Sequence, residues 1–127
     1  MKRAWLLFTI ASIQFSALAA TRPADCVDAI VGEAAGAPYI VKQGVAEALR
    51  NRGTLHGVYG LHAAHNAGEP GWVWRDARRA WTESTTTNLV HGATHFGNLD
   101  DVRKGTFAGM TLTAVLGTGR NATYFFK

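Results

Sequence analysis

The sequence predicts an α+β domain, with about three helices leading into a C-terminal antiparallel hairpin or small sheet. Two observations predict it. Apolar residues recur at helical spacing in three segments between Thr21 and Glu83. Beyond Glu83, threonine, valine and aromatic residues replace the helix formers and glycine-rich turns separate short runs.

Thr21 to Glu33 reads as the first helix. Thr21 can cap it, Pro23 suits its first turn, and Val27, Ile30, Val31 and Ala34 form an apolar stripe. Gly32 and the run Ala35-Gly36-Ala37-Pro38 end it. Tyr39 to Asn51 is the second helix. Val41, Gly44, Val45, Ala48 and Leu49 share one face; Lys42, Gln43, Glu47 and Arg50 take the other, and Gly53 stops it. Thr54 to Pro70 has no sustained period and reads as a long loop, a length often functional in small domains. Trp72 to Glu83 is the third helix, with Trp74 and Trp81 on its apolar side. Leu89 to Phe96 reads as a strand or extended loop. Thr111 to Leu116 and Ala122 to Phe126 read as two strands around the turn Gly117-Thr118-Gly119-Arg120-Asn121. Asp100-Asp101 reads as a solvated turn.

The chain opens with Lys2-Arg3, a short apolar run and Ala17-Leu18-Ala19. That is the pattern of a secretory signal peptide over residues 1–19, shorter than the roughly 20 apolar residues of a membrane span. Cleavage after Ala19 leaves one domain over 20–127 with no transmembrane segment. The expected place is exported: periplasm, cell wall or extracellular. Loss of Lys2 and Arg3 lowers the formal net charge from +4 to +2. A mild positive excess suits an anionic cell-wall surrounding. No basic run or zinc-finger spacing argues for nucleic acid, and none is expected as a partner. Cys26 is alone, so the fold relies on no internal disulfide; a small core residue is expected there, in a monomer.

Glu33 is the acid that stands out. It falls at the edge of the first helix's apolar stripe, near the C-terminal end, where it would be partly covered. Partial cover and a helix C-terminus both disfavour a charged carboxylate. An acid held protonated near neutral pH can protonate a leaving oxygen, as glycoside cleavage requires. Residue chemistry alone leaves two alternatives: a solvated helix-end residue, or that acid.

The stretch Ala29 to Gly60 resembles the opening of the SleB-like cell wall hydrolases, the spore-cortex-lytic enzyme family. The matching residues are Gly32-Glu33-Ala34, then Gly36-Ala37-Pro38-Tyr39, then Val45-Ala46 through Asn51-Arg52. His91-Gly92-Ala93-Thr94-His95-Phe96 is similar to the family's G-A-T-H-[FYW] segment, and the C-terminal Gly117 to Lys127 to its closing strand. The resemblance spans Asp25 to Lys127. It implies a small lysozyme-like domain, with Glu33 as catalytic acid and peptidoglycan glycan strands as substrate. The sequence departs from the family twice. Ala37 stands where a second glutamate is common, and Thr123 where a histidine often precedes the closing aromatics.

A single acid suits a lytic transglycosylase, in which the muramic acid 6-hydroxyl attacks the anomeric carbon. Muramidase-type hydrolysis and a non-catalytic peptidoglycan-binding module on the same fold are the alternatives. Trp72 is the groove candidate among the tryptophans, since aromatic faces stack on sugars. Gly92, Ala93, Thr94, His95 and Phe96 are expected to line the groove, or else to end a strand beside the core. Tyr39 either holds substrate or packs beside Glu33. His62, His65, His91 and His95 have ligand-like spacings, with His91 and His95 on one face of the expected strand. They lack an accompanying cysteine pair or carboxylate, so no metal and no cofactor is expected.

Overall fold

The computed structural model describes residues 22–127, so the expected signal peptide (1–19) and the expected cap Thr21 lie outside the described residues. Within them the chain is a small α+β domain, four helices and a three-stranded antiparallel sheet towards the C-terminus. Helix α1 (Pro23–Ala34) starts on Arg22, which makes no side-chain cap bond; Pro23 occupies the first turn, where its missing N–H costs nothing. Helix α2 (Tyr39–Arg52) stops at Gly53, whose φ of 75° is the left-handed conformation glycine adopts freely. Helix α3 (Gly71–Glu83) completes a three-helix layer in which each helix packs on the other two. Cys26, Ile30, Val45, Leu49, Val73 and Ala77 lie in its shared core.

Strand β1 (His95–Gly97) is followed by helix α4 (Leu99–Arg103) and strands β2 (Leu112–Leu116) and β3 (Thr123–Phe126). The order is β1-β3-β2, so the last strand is central. His95 pairs with Phe126 on one side of β3, and Leu116 with Thr123 on the other. Gly44 lets the sheet approach α2: a β-carbon there would sit 2.8 Å from the fully buried ring of Phe125. No described helix is long and apolar enough to cross a membrane.

The expected polar face of α2 is not a solvated face. Lys42 is fully buried and Glu47 is 3 % exposed. The helix is central, covered on more sides than its apolar stripe, and the extra cover is matched by specific polar partners. Glu47 accepts hydrogen bonds from the Thr87 hydroxyl (2.7 Å) and the Val90 N–H (3.2 Å). Lys42 Nζ donates to the Ala37 carbonyl at 2.6 Å, and burial pushes its ammonium below the usual lysine range. Arg50 lies 3.6 Å over the Trp81 ring and donates to Ser84 and to the Trp81 carbonyl. The half-buried Trp74 and Trp81 pack against the core, as their helical positions predict.

Leu89 to Phe96 is mostly not a strand. Ala93 N–H donates back to the Val90 carbonyl, with His91 (φ 51°) and Gly92 (φ 83°) both left-handed between them. His91 and His95 therefore do not share a strand face. The turn is held from α2 by Glu47 on Val90 and by the Asn51 amide on the Ala93 carbonyl at 3.0 Å. Asp100-Asp101 is helical rather than a free turn, with Asp100 exposed as expected. It opens α4, where Asn98 and Asp101 form a reciprocal capping box.

Candidate active site

A groove of about 610 Å³ runs between the end of α1, the loop after α2, and the sheet. Glu33 lines it. So do His95 and Phe96 from β1, Tyr59 from the loop, and Asp101 from α4. Phe107 stacks on Phe126 with ring centroids 4.3 Å apart and lines the groove from the sheet side.

Glu33 is positioned by contact between two glycines. The loop passes so close to α1 that a β-carbon on Gly32 would overlap the Gly60 carbonyl; one on Gly60 would lie 2.7 Å from the Glu33 backbone nitrogen. This approach lets the Gly60 N–H donate to Glu33 Oε1 at 2.7 Å. Glu33 Oε2 has no hydrogen-bond partner among the described residues. The loop is anchored behind this contact. Asn66, buried to 3 % exposure, donates to the Gly60 carbonyl (2.9 Å) and to Asp28 Oδ1 (3.0 Å). Asp28 Oδ1 also accepts the His62 backbone N–H at 2.6 Å, and the His62 ring lies between Asp28 (3.8 Å) and Asp25 (3.7 Å).

Glu33 is exposed as a residue, and its carboxylate is covered on one side only. The loop covers it from one side. On the other, α1 ends one residue later and the small residues Ala35, Gly36 and Ala37 leave the groove open.

The remaining expected site residues divide. His95 and Phe96 line the groove; Gly92, Ala93 and Thr94 do not. Ala93 is fully buried, and Gly92 lies in the left-handed turn facing Lys127. Thr94 acts behind the groove: its hydroxyl pairs with His95 Nδ1 at 2.9 Å, while its N–H donates to the Phe126 carbonyl. Tyr39 and Trp72 also lie off the groove. The turn at Ala35–Pro38 carries Tyr39 to α3, where its hydroxyl donates to the Glu83 carboxylate and its ring lies 4.4 Å from the Arg79 guanidinium. Burial, reinforced by the Glu83 partner, pushes the Tyr39 phenol up to about 12. Trp72 is 49 % exposed, with its ring 5.6 Å from Lys42 Nζ.

Among the groove residues that escape sequence reasoning are Tyr59, Asp101, Phe107 and Arg120. Tyr59 is 94 % exposed, extreme for an aromatic ring. Its signal is its setting, an aromatic between Gly57 and Gly60 in a loop with little core to fill. For Asp101 the signal is the Asn98–Asp101 spacing of a capping box. Arg120 carries none. Ala37 and Thr123, the two departures from the family pattern, both line the groove.

Compared with protein-family models, with curated proteins and with solved structures, the chain matches none.

Proposed function

We propose that the chain is an exported peptidoglycan glycosidase that cleaves the muramic acid–glucosamine strand as a lytic transglycosylase, with Glu33 as general acid and then base. One observation carries this reading: Glu33 stands in an open groove with one oxygen pinned by the Gly60 N–H and the other without a described partner. A pinned carboxyl oxygen fixes the direction in which the second presents a proton. A glycan strand lying in the groove would take Glu33 out of water, adding to the one-sided cover of the loop.

The chemistry then balances on one acid. Protonated Glu33 gives its proton to the glycosidic oxygen as the bond from that oxygen to the anomeric carbon breaks. The muramic acid 6-hydroxyl oxygen forms the new bond to that carbon, and its proton returns to Glu33. The product is a 1,6-anhydro end, and the enzyme is back in its starting state. Tyr59 offers an aromatic face for a sugar ring, the part the sequence assigns to Trp72. His95, held by Thr94, offers a ring nitrogen for a sugar hydroxyl.

Asp101 favours a second reading, muramidase-type hydrolysis. It is a second carboxylate lining the same groove, and an inverting glycosidase needs one acid on the leaving oxygen and one base on water. Digestion of purified peptidoglycan with mass analysis of the ends separates the cases. Anhydro-muramic ends support transglycosylation, reducing ends hydrolysis. No cleavage, with glycan retained, marks a binding module.

A further inference from the structure

The groove holds cations as well as acids. Arg120 lies on the turn between β2 and β3 and lines the groove that holds Glu33. The turn is closed by the Asn121 N–H on the Thr118 carbonyl (3.1 Å) and the Ala122 N–H on the Gly119 carbonyl (3.2 Å). A β-carbon on Gly117 would lie 2.6 Å from the Asn121 carbonyl oxygen, so the turn packs tightly on itself. The root of the Arg120 side chain is therefore fixed. Its guanidinium makes no ion pair with any described residue, whereas Arg22 and Arg79 each pair with a carboxylate. Arg52 also lines the groove; it donates to the His56 carbonyl at 2.5 Å and likewise has no carboxylate partner among the described residues.

We infer that Arg120 reads a carboxylate carried by the substrate, so that the groove selects amino-sugar strands bearing acidic substituents over neutral ones. The inference rests on the glycosidase reading of the groove. A guanidinium presents paired N–H donors that match a carboxylate's two oxygens, and such charge-assisted bonds are the strong ones. Glu33 and Asp101 in the same groove oppose a densely anionic polymer such as a polyphosphate. A mostly neutral sugar backbone with isolated carboxylates satisfies both signs. In a peptidoglycan strand those carboxylates are on the lactyl group or the stem peptide; a strand of N-acetylglucosamine alone has none.

The test is calorimetric binding to Glu33→Gln and to Glu33→Gln/Arg120→Gln, each confirmed folded by thermal melting. The probes are soluble peptidoglycan disaccharide–peptide oligomers and the same oligomers with their carboxylates converted to primary amides. Amidation should weaken binding to the Glu33→Gln protein about tenfold, the scale of one hydrogen bond to a charged group, and have little effect once Arg120 is removed. Equal weakening in both proteins, or none in either, would overturn the role of Arg120 and leave the glycan-binding groove standing. Failure of both proteins to bind either form would overturn the glycan reading itself, and this inference with it.

Discussion

The Gly60 N–H donates to Glu33 Oε1 at 2.7 Å, across a contact in which neither Gly60 nor Gly32 has room for a side chain. A loop that looks featureless in the sequence thus sets the position of the acid at the end of α1. Behind it, Asn66 and Asp28 hold the Gly60 carbonyl and the His62 N–H, so the peptide at Gly60 is fixed from both sides.

Gly60→Ala should separate loop from acid. Its β-carbon would meet backbone atoms of Gly32 and Glu33 at 2.7 Å, and backbone cannot swing aside as a flexible side chain can. The expected cost is about 1–3 kcal/mol of stability, the usual range for overpacking. Misplacing the acid by about 1 Å should cost roughly a hundredfold in kcat. Thermal melting and turnover on peptidoglycan check the two effects separately.

Tyr59→Ala and Trp72→Ala form a pair with opposite outcomes. Tyr59 is 94 % exposed beside the groove, so its loss should shift stability by less than about 0.5 kcal/mol. It should raise KM about threefold to tenfold, the worth of one stacked aromatic. Trp72 lies off the groove over Lys42, so its removal should leave KM and kcat near those of the parent. Steady-state kinetics on a soluble glycan fragment distinguishes them.

The phenol of Tyr39 should titrate near 12, well above the usual tyrosine range, because burial and its bond to Glu83 both favour the neutral form. Its folded pKa lies above its unfolded value of about 10. The stabilisation is therefore fully present below about pH 10 and is lost as pH rises towards 12. Parent and Tyr39→Phe share every other titrating group, including Lys42. The stability advantage of the parent should shrink across that window, as followed by melting at stepped pH. Phenolate absorbance reports the titration directly.

Much of the fold was legible because α1, α2 and α3 each bury a continuous stripe, and stripes are what periodicity detects. Three helices before an antiparallel sheet follow from the same pattern, whereas the short α4 between β1 and β2 does not. What escaped has a common physical origin. Lys42 and Glu47 look solvated in sequence, yet α2 is central: Glu47 is met by Thr87 and Val90 from a distant segment, and Lys42 by the nearby Ala37 carbonyl. The His91–Gly92 turn breaks the expected strand through two left-handed residues, one of them not glycine. Of the candidate site, Glu33, His95 and Phe96 were legible and meet in one groove. Tyr39 and Trp72 lie off that groove: the turn at Ala35–Pro38 carries Tyr39 to Glu83 on α3, and Trp72, in the first turn of α3, sits by Lys42. Tyr59 and Asp101 become groove residues only when the loop and α4 fold against the α1 end.

In the proposed reaction Glu33 transfers the proton at the glycosidic oxygen. Turnover of purified peptidoglycan by the parent and by Glu33→Gln, with both proteins shown to be folded by thermal melting, tests it most directly. The amide keeps the shape, and its Oε1 can still accept the Gly60 N–H, but it has no proton to give. Glu33→Gln should melt like the parent, bind glycan similarly and lose at least about a hundredfold in rate, the lower range for general acid–base catalysis. Equal rates from two folded proteins would contradict it and take the catalytic role away from the end of α1.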